Sequence, residues 1–311
     1  MKNHSQINIR SYKAKGFIGN YQKLIRETVI PYQYSVLCDE APDTEKSHVV
    51  QNFINAGKAV RGEDVGDGFY GMVFQDSDAA KWLEAVAYSL SLMPDNELEA
   101  TADKLIDVIA DAQDTDGYLN TYFTIKDKEK RWTNLLEGHE LYCSGHMMEA
   151  ACAYFEATGK RKLLDVMEKN AEHIYNRFIT EKHDGFPGHP EVELALMKMY
   201  RCTGNKKCLE LAEHFVNTRG CDPDFYKKKR QHVTGLYGAT MPRTITISRA
   251  VRLSASKRMP QVIPYVRFIF IQAWLTLRQK QMTRSFLVPA ALSGTALQSA
   301  ECISQAASVQ P

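Results

Sequence analysis

The stretch EGHELYCSGHMMEAACAYFEATG, residues 137–159, sets His139 and His146 seven residues apart with Cys143 between them. Imidazoles and a thiol so close together suit three chemistries: metal ligation, attack by a base-activated thiol, or hydrogen bonding to a polar ligand. A spacing of seven is not the i, i+4 pair by which a helix offers two histidines to zinc. Cys143 falls among apolar neighbours in a helical run, where a buried structural thiol is the plain reading. His139 opens that run and is a candidate ligand contact, with a structural role at the helix start as its alternative. His146 lies deeper in the run and reads as structural. His189, in GHPEVE, stands just before another helical pattern and is the better pocket candidate. Glu191 and Glu193 beside it are either acid/base carboxylates or first-turn acids that complement a helix dipole. In FQDSDAAKW, Gln75 and Asp78 are lesser pocket candidates, because Asp76 or Asp78 more commonly serves as an N-cap.

The loops that carry these residues share a character. GFYGMVFQDSD, DTDGYLNTYF, EGHELYCSGH and HDGFPGHPEVE each mix glycine, aromatic and polar residues. A sugar ring packs its C–H face on an aromatic side chain and presents its hydroxyls to directional hydrogen bonds. Loops of this kind suit a small carbohydrate, provided that the fold brings them together.

The elements that must position them are helices, and the fold class is all-α. DSDAAKWLEAVAYSLSLM and NELEATADKLIDVIADAQ carry apolar residues at helical spacing; in the second, Leu98, Ala102, Leu105, Ile106 and Ile109 share a face. HMMEAACAYFEATGK and RKLLDVMEKNAEHIYNRF form a second pair, turning at Thr158-Gly159. PEVELALMKMYRCTG and NKKCLELAEHFVNTRG form a third, turning at Thr203-Gly204. EATGKRKLL matches RCTGNKKCL, and AEHI matches AEHF, so the pairs are repeats of one helical hairpin. Such hairpins either stack in a solenoid or close into an α/α ring, and periodicity does not separate the two.

Composition narrows the class. The chain has 311 residues, 44% hydrophobic and 24% charged, as expected of a soluble globular protein. No run is long and apolar enough for a membrane span, and the first residues have no signal-peptide core. The seven cysteines are scattered, with no CxxC, which suits a reducing cytoplasm. The net charge of +2 is unevenly spread: residues 241–311 hold 9 Lys/Arg and the single acid Glu301, a charge of +8, against −6 for the rest. A basic tail would ordinarily suggest nucleic acid or an anionic membrane.

GMVFQDSDAAKWLEAVAYSL, DGYLNTYF, HELYCSGHMMEAACAYFEATGK and GHPEVELALMKMYRCTG together resemble glycoside hydrolase family 127, and ETVIPYQYSVLCDE resembles that family's opening segment. The resemblance covers about residues 8–230. It implies an (α/α)6 barrel followed by β-rich domains, so that the chain holds roughly the N-terminal half of the ring, an incomplete barrel. It implies retaining hydrolysis of β-L-arabinofuranosides by a zinc-bound cysteine nucleophile with a glutamate acid/base. It also implies that His139 and His189 contact the substrate. The family's nucleophile and zinc motifs, a Glu-Thr-Cys segment and a Cys-Cys pair, do not occur here. No catalytic residue and no metal ligand is therefore assigned in this chain, and zinc is expected only in a full-length family enzyme.

From about residue 240 the hairpin pattern stops. Joining the third base of each codon to the first two of the next, with permitted codon choices, turns RLSASKRMPQVIPYVR into PVREQKDAAGHSVRA. The same operation turns ECISQAASVQP into MYITGGIGST. Both strings resemble the family's next motifs in their right order. The expectation is a frameshift between Leu236 and Leu253, with 1–75 as an N-terminal segment, 76–239 as barrel hairpins and 240–311 as a poorly ordered, out-of-frame tail. The basic tail is then no nucleic-acid or membrane patch, and the expected partner is a small carbohydrate. Other α/α-barrel sugar enzymes, such as epimerases and unsaturated-glycuronyl hydrolases, and a non-catalytic helical-repeat binding module are the alternatives.

Overall fold

A computed structural model describes residues 9–219, 221–222 and 225–230; the expected out-of-frame tail lies outside the described residues. The described chain is helical, and no β-strand occurs in it. The N-terminal segment forms α1 (Gly16–Leu24), a wider turn of helix (Ile25–Val29), α2 (Ile30–Leu37) and α3 (Val49–Val60). Three hairpins follow. The first is α4 (Asp76–Leu92) and α5 (Asn96–Asp111), after which the short α6 (Thr121–Ile125) intervenes. The second is α7 (Glu140–Thr158) and α8 (Lys162–Tyr175), and the third is α9 (Val192–Thr203) and α10 (Lys206–Thr218). A last short helix, α11, spans Phe225–Arg230.

The hairpins stand in two layers. The first members, α4, α7 and α9, pack side by side; the second members pack behind them, α5 on α8 and α8 on α10. Each hairpin is thus one inner and one outer helix. The repeated sequence explains the repeated turn. Gly159 (φ 77°) and Gly204 (φ 73°) end α7 and α9 in the left-handed region, which glycine enters without a Cβ penalty. Their N–H groups donate to Phe155 O at 2.8 Å and Tyr200 O at 2.9 Å. In both turns the threonine before the glycine donates its hydroxyl back to the helix, Thr158 to Tyr154 O and Thr203 to Met199 O. Both hydroxyls also accept from the residue after the glycine, Lys160 or Asn205. The first hairpin lacks this motif and is joined instead by the N-cap Asp95, which accepts from Leu98 N at 3.1 Å.

Helix α7 is the centre of the arc, and most of its residues are buried, including Ser144, Gly145, Ala150, Ala151 and Ala153. It has helices on three sides, so it lacks the single apolar stripe of a surface helix. Its small residues let neighbours approach. A Cβ on Gly145 would lie 2.9 Å from Val192 N and 3.0 Å from Val192 Cα, so the start of α9 rests on the bare backbone of α7. The expected face of α5 is confirmed, with Ala102, Leu105, Ile106 and Ile109 buried and Leu98 packed at the edge. Trp82 is 3% exposed and donates its indole N–H to Ile30 O at 2.9 Å, which ties α4 to α2. Between outer helices the links are ionic, such as Lys162 to Asp107 at 2.7 Å, and being exposed they contribute little.

Candidate functional site

The starts of the three inner helices meet. His139 immediately precedes α7, and its ring lies 5.0 Å, centroid to centroid, from that of His189, which belongs to the loop before α9. The ring of Phe74, just before α4, lies 5.2 Å from His139. Tyr142, one turn into α7, lies 5.6 Å from His139, 5.3 Å from His189 and 4.4 Å from His146. Gly188 N donates to Leu135 O at 3.0 Å, joining the His189 loop to the His139 loop. His139 has φ 55°, a left-handed conformation that costs a non-glycine residue on the order of 1 kcal/mol and that surrounding structure must enforce. The result is a cluster of flat rings, three imidazoles, a phenol and the apolar Phe74, at one mouth of the arc.

Below the mouth, the inner helices carry ionisable groups. Lys198 on α9 lies 2.9 Å from Glu149 on α7 and 3.8 Å from Glu84 on α4. Burial alone would lower the Lys198 ammonium, but Glu149 and Glu84 outweigh it and its pKa is raised. His146 Nδ1 lies 3.4 Å from Glu191 Oε1. That distance would suit an ion pair, yet burial pushes the Glu191 carboxyl up to about 8 and the His146 imidazole down to about 4. Both directions favour the uncharged forms, so at neutral pH the pair is a carboxylic acid beside a neutral imidazole.

Other candidates fall into different places. Gln75 uses both ends of its amide within the loops: Nε2 donates to Ser47 O, and Oε1 accepts from Met72 N at 2.9 Å. Neither Asp76 nor Asp78 caps α4, which corrects the N-cap expectation; the capping position is Gln75, whose side chain makes no capping bond. Asp76 is buried and accepts from Thr121 N at 2.8 Å and Thr121 Oγ1, fastening α6 beneath the mouth, and burial pushes it up to about 6. Asp78 is half exposed, 3.8 Å from Lys81, whose ammonium lies 5.4 Å from the Tyr142 ring centroid. Glu193 is fully buried against Arg219, at 2.7 Å, and Arg219 also donates to Pro187 O at 2.8 Å. Glu193 is therefore a strut for the His189 loop. Cys143 is buried, and burial raises its thiol well above the ordinary value, leaving it unreactive.

Sequence reasoning passed over several of these partners. Arg219 lies 26 residues from Glu193, and no local pattern links them. Glu140, in the first turn of α7, is 2% exposed, accepts from Tyr118 Oη at 2.6 Å and from Trp132 N at 2.9 Å, and is pushed up to about 8 by burial. Only its place as an acid at a helix start hinted at a special role. Among the described residues no three His, Cys, Asp or Glu side chains are grouped to hold a metal ion. The described donors do not fit the zinc that the family resemblance implies.

The profile of the β-L-arabinofuranosidase GH127 catalytic domain matches residues 13–269. The chain belongs to glycoside hydrolase family 127. Within that family, it is 43% identical over 229 residues to the non-reducing end β-L-arabinofuranosidase of Bifidobacterium longum subsp. longum, covering 68% of this chain and 34% of that protein. It matches the crystal structure of a GH127 β-L-arabinofuranosidase from Geobacillus stearothermophilus T6 with a TM-score of 0.65 and 48% identity, covering 71% of this chain and 34% of the other. A second solved GH127 β-arabinofuranosidase gives a TM-score of 0.63 at 32% identity, covering 72% of this chain and 36% of the other. The two-layered arc is accordingly part of an (α/α)6 barrel, of which α4, α7 and α9 are inner staves. The chain spans about a third of the length of these family 127 relatives. The profile match runs through residues 236–253, where the sequence reading places a change of frame.

Proposed function

We propose that this chain supplies the N-terminal wall of a glycosidase pocket for terminal β-L-arabinofuranosides. The observation that carries the reading is the meeting of His139, His189 and Phe74 at one mouth, from three separate helix starts. Two imidazoles offer hydrogen bonds to ring hydroxyls, and Phe74 and Tyr142 offer flat faces to a furanose. The names of the matched relatives, both β-L-arabinofuranosidases, support β-L-arabinofuranose as the sugar. Gln75 braces the loop, and Asp78 with Lys81 borders the mouth.

Retaining hydrolysis needs a nucleophile and an acid/base on the reacting carbon. In this reading neither comes from the described residues. The zinc-held thiolate and the glutamate acid/base belong to the motifs expected downstream in the restored frame. The chain as it stands is then a binding wall without turnover, at home in the cytoplasm where its scattered thiols stay reduced. Among the described residues no helix is long and apolar enough to cross a membrane.

The test is turnover of a nitrophenyl β-L-arabinofuranoside, with and without zinc. The 311-residue chain should give no rate above buffer, and a chain with the frame restored past Leu236 should hydrolyse it in a zinc-dependent way. Zinc-dependent hydrolysis by the 311-residue chain, lost on changing any of its cysteines, would overturn this assignment of the chemistry.

A further inference from the structure

Two cysteines without a task in the sugar reading face each other across the seam between α7 and α9, far from the mouth. Cys152 stands 13 residues beyond His139, about 20 Å along α7. Contacts across the seam fix the register. Cys152 Sγ donates to Met199 Sδ of α9 at 3.5 Å. Cys202, about one turn after Met199, donates its Sγ–H to Glu156 Oε1, about one turn after Cys152, at 3.6 Å. The two helices therefore run in the same direction, and each side chain leans back toward its own helix start. Cys202 leans toward Cys152, and the two thiols are hydrogen-bonded to each other.

The thiols are not equivalent. Cys152 is 2% exposed, and its hydrogen bond to Cys202, followed by burial, pushes its pKa up. Cys202 is partly exposed, and the same hydrogen bond holds its pKa below the ordinary thiol value, against burial and the Glu156 carboxylate. The Lys198 ammonium acts in the same lowering direction. A thiolate is the nucleophile toward a peroxide, and a protonated thiol in contact with it can resolve the product. Cys143 and Cys208 lack this arrangement: both are buried, and burial raises both thiols.

We propose that Cys202 and Cys152 form an oxidation site, at which hydrogen peroxide converts the two thiols into a disulfide that ties α7 to α9. The Cys202 thiolate attacks one peroxide oxygen. An S–O bond forms, the O–O bond breaks, and the departing hydroxide takes up the proton that Cys202 gave up. The Cys152 sulfur then attacks the sulfenic sulfur. The S–S bond forms, the S–O bond breaks, and the hydroxyl leaves as water with the Cys152 proton. Two thiols are oxidised and one peroxide is reduced, giving one disulfide and two waters. The cross-link closes a loop of 50 residues, from 152 to 202, long enough to constrain the unfolded chain strongly. This inference makes no use of the arabinofuranoside reading.

The experiment treats the 311-residue chain with hydrogen peroxide, in a Cys221→Ser/Cys302→Ser background that removes the exposed Cys221 and the tail cysteine. Alkylation in denaturant, proteolysis without reductant and mass spectrometry should find the Cys152 and Cys202 peptides joined, with Cys143 and Cys208 alkylated. The thermal midpoint should rise by roughly 5–15 °C and return on adding dithiothreitol. In Cys152→Ser the reaction should stop at a sulfenic acid on Cys202, trapped by dimedone, and in Cys202→Ser Cys152 should stay a thiol. Cys152→Ala keeps the site apolar and should give the same trapping result if the serine variant does not fold. Cys152 and Cys202 recovered as separate alkylated peptides after peroxide would overturn the proposal. So would a sulfenic acid on Cys152 with none on Cys202, or a disulfide that leaves the midpoint where it was.

Discussion

Replacing Glu191 by glutamine should make the stability of the chain less dependent on pH above about 6.5. The Glu191 side chain is only 5% exposed, and burial is the first cause of its carboxyl rising from 4.5 to about 8. The groups that face it are His146 and Glu149 from α7, Glu84 from α4, and Glu193 and Lys198 from its own helix. The folded state keeps a proton that the unfolded chain releases above pH 4.5. Rising pH therefore favours unfolding from about pH 4.5 until the folded-state value near 8 is passed. At 1.36 kcal/mol per pH unit, the full loss is on the order of 5 kcal/mol. Glutamine has the shape of the protonated acid and does not titrate. Urea unfolding followed by circular dichroism between pH 6.5 and 9, above the range in which His146 acts, should show a flatter curve for Glu191→Gln, with the variant more stable than the parent at pH 9. His146 acts on the other side. Its pKa, depressed from 6.5 to about 4, removes stability as pH falls through that range, and the variant should retain this loss. A variant with the parent's slope between pH 6.5 and 8, or one less stable at pH 9, would refute the neutral-acid description of this pair.

Arg219→Met strands Glu193 in the interior and should cost about 3–5 kcal/mol, lowering the thermal midpoint by roughly 6–20 °C. The double variant Arg219→Met/Glu193→Leu should recover most of that loss in the same calorimetric scan. Gly145→Ala puts a methyl against the backbone of Val192 and should cost about 1–3 kcal/mol, with a matching fall in urea midpoint, whereas Ala150→Gly should cost only about 1 kcal/mol.

The helices were legible because their apolar spacing and their turn chemistry agreed. Thr158-Gly159 and Thr203-Gly204 announced the same turn twice, and the structure makes the same bonds at both. The meeting of His139 with His189 was legible for the same reason: a repeat that starts every inner helix at one end must bring the preceding loops together. What stayed hidden depends on distance along the chain. Asp76 carries the sequence pattern of an N-cap, but Thr121, 45 residues later, takes its carboxylate. Glu193 looks like an ordinary first-turn acid until Arg219 folds against it.

The central claim is that the mouth formed by the starts of α4, α7 and α9 is a sugar subsite. Titrating the 311-residue chain with methyl β-L-arabinofuranoside, observed by ligand NMR, tests it most directly. The parent should bind saturably, and His139→Ala and His189→Ala should each weaken binding about tenfold, which corresponds to about 1.4 kcal/mol per imidazole. Lys104→Ala, on the outer layer, should bind as the parent does. Absence of saturable binding, or histidine variants that bind like the parent, would contradict the account.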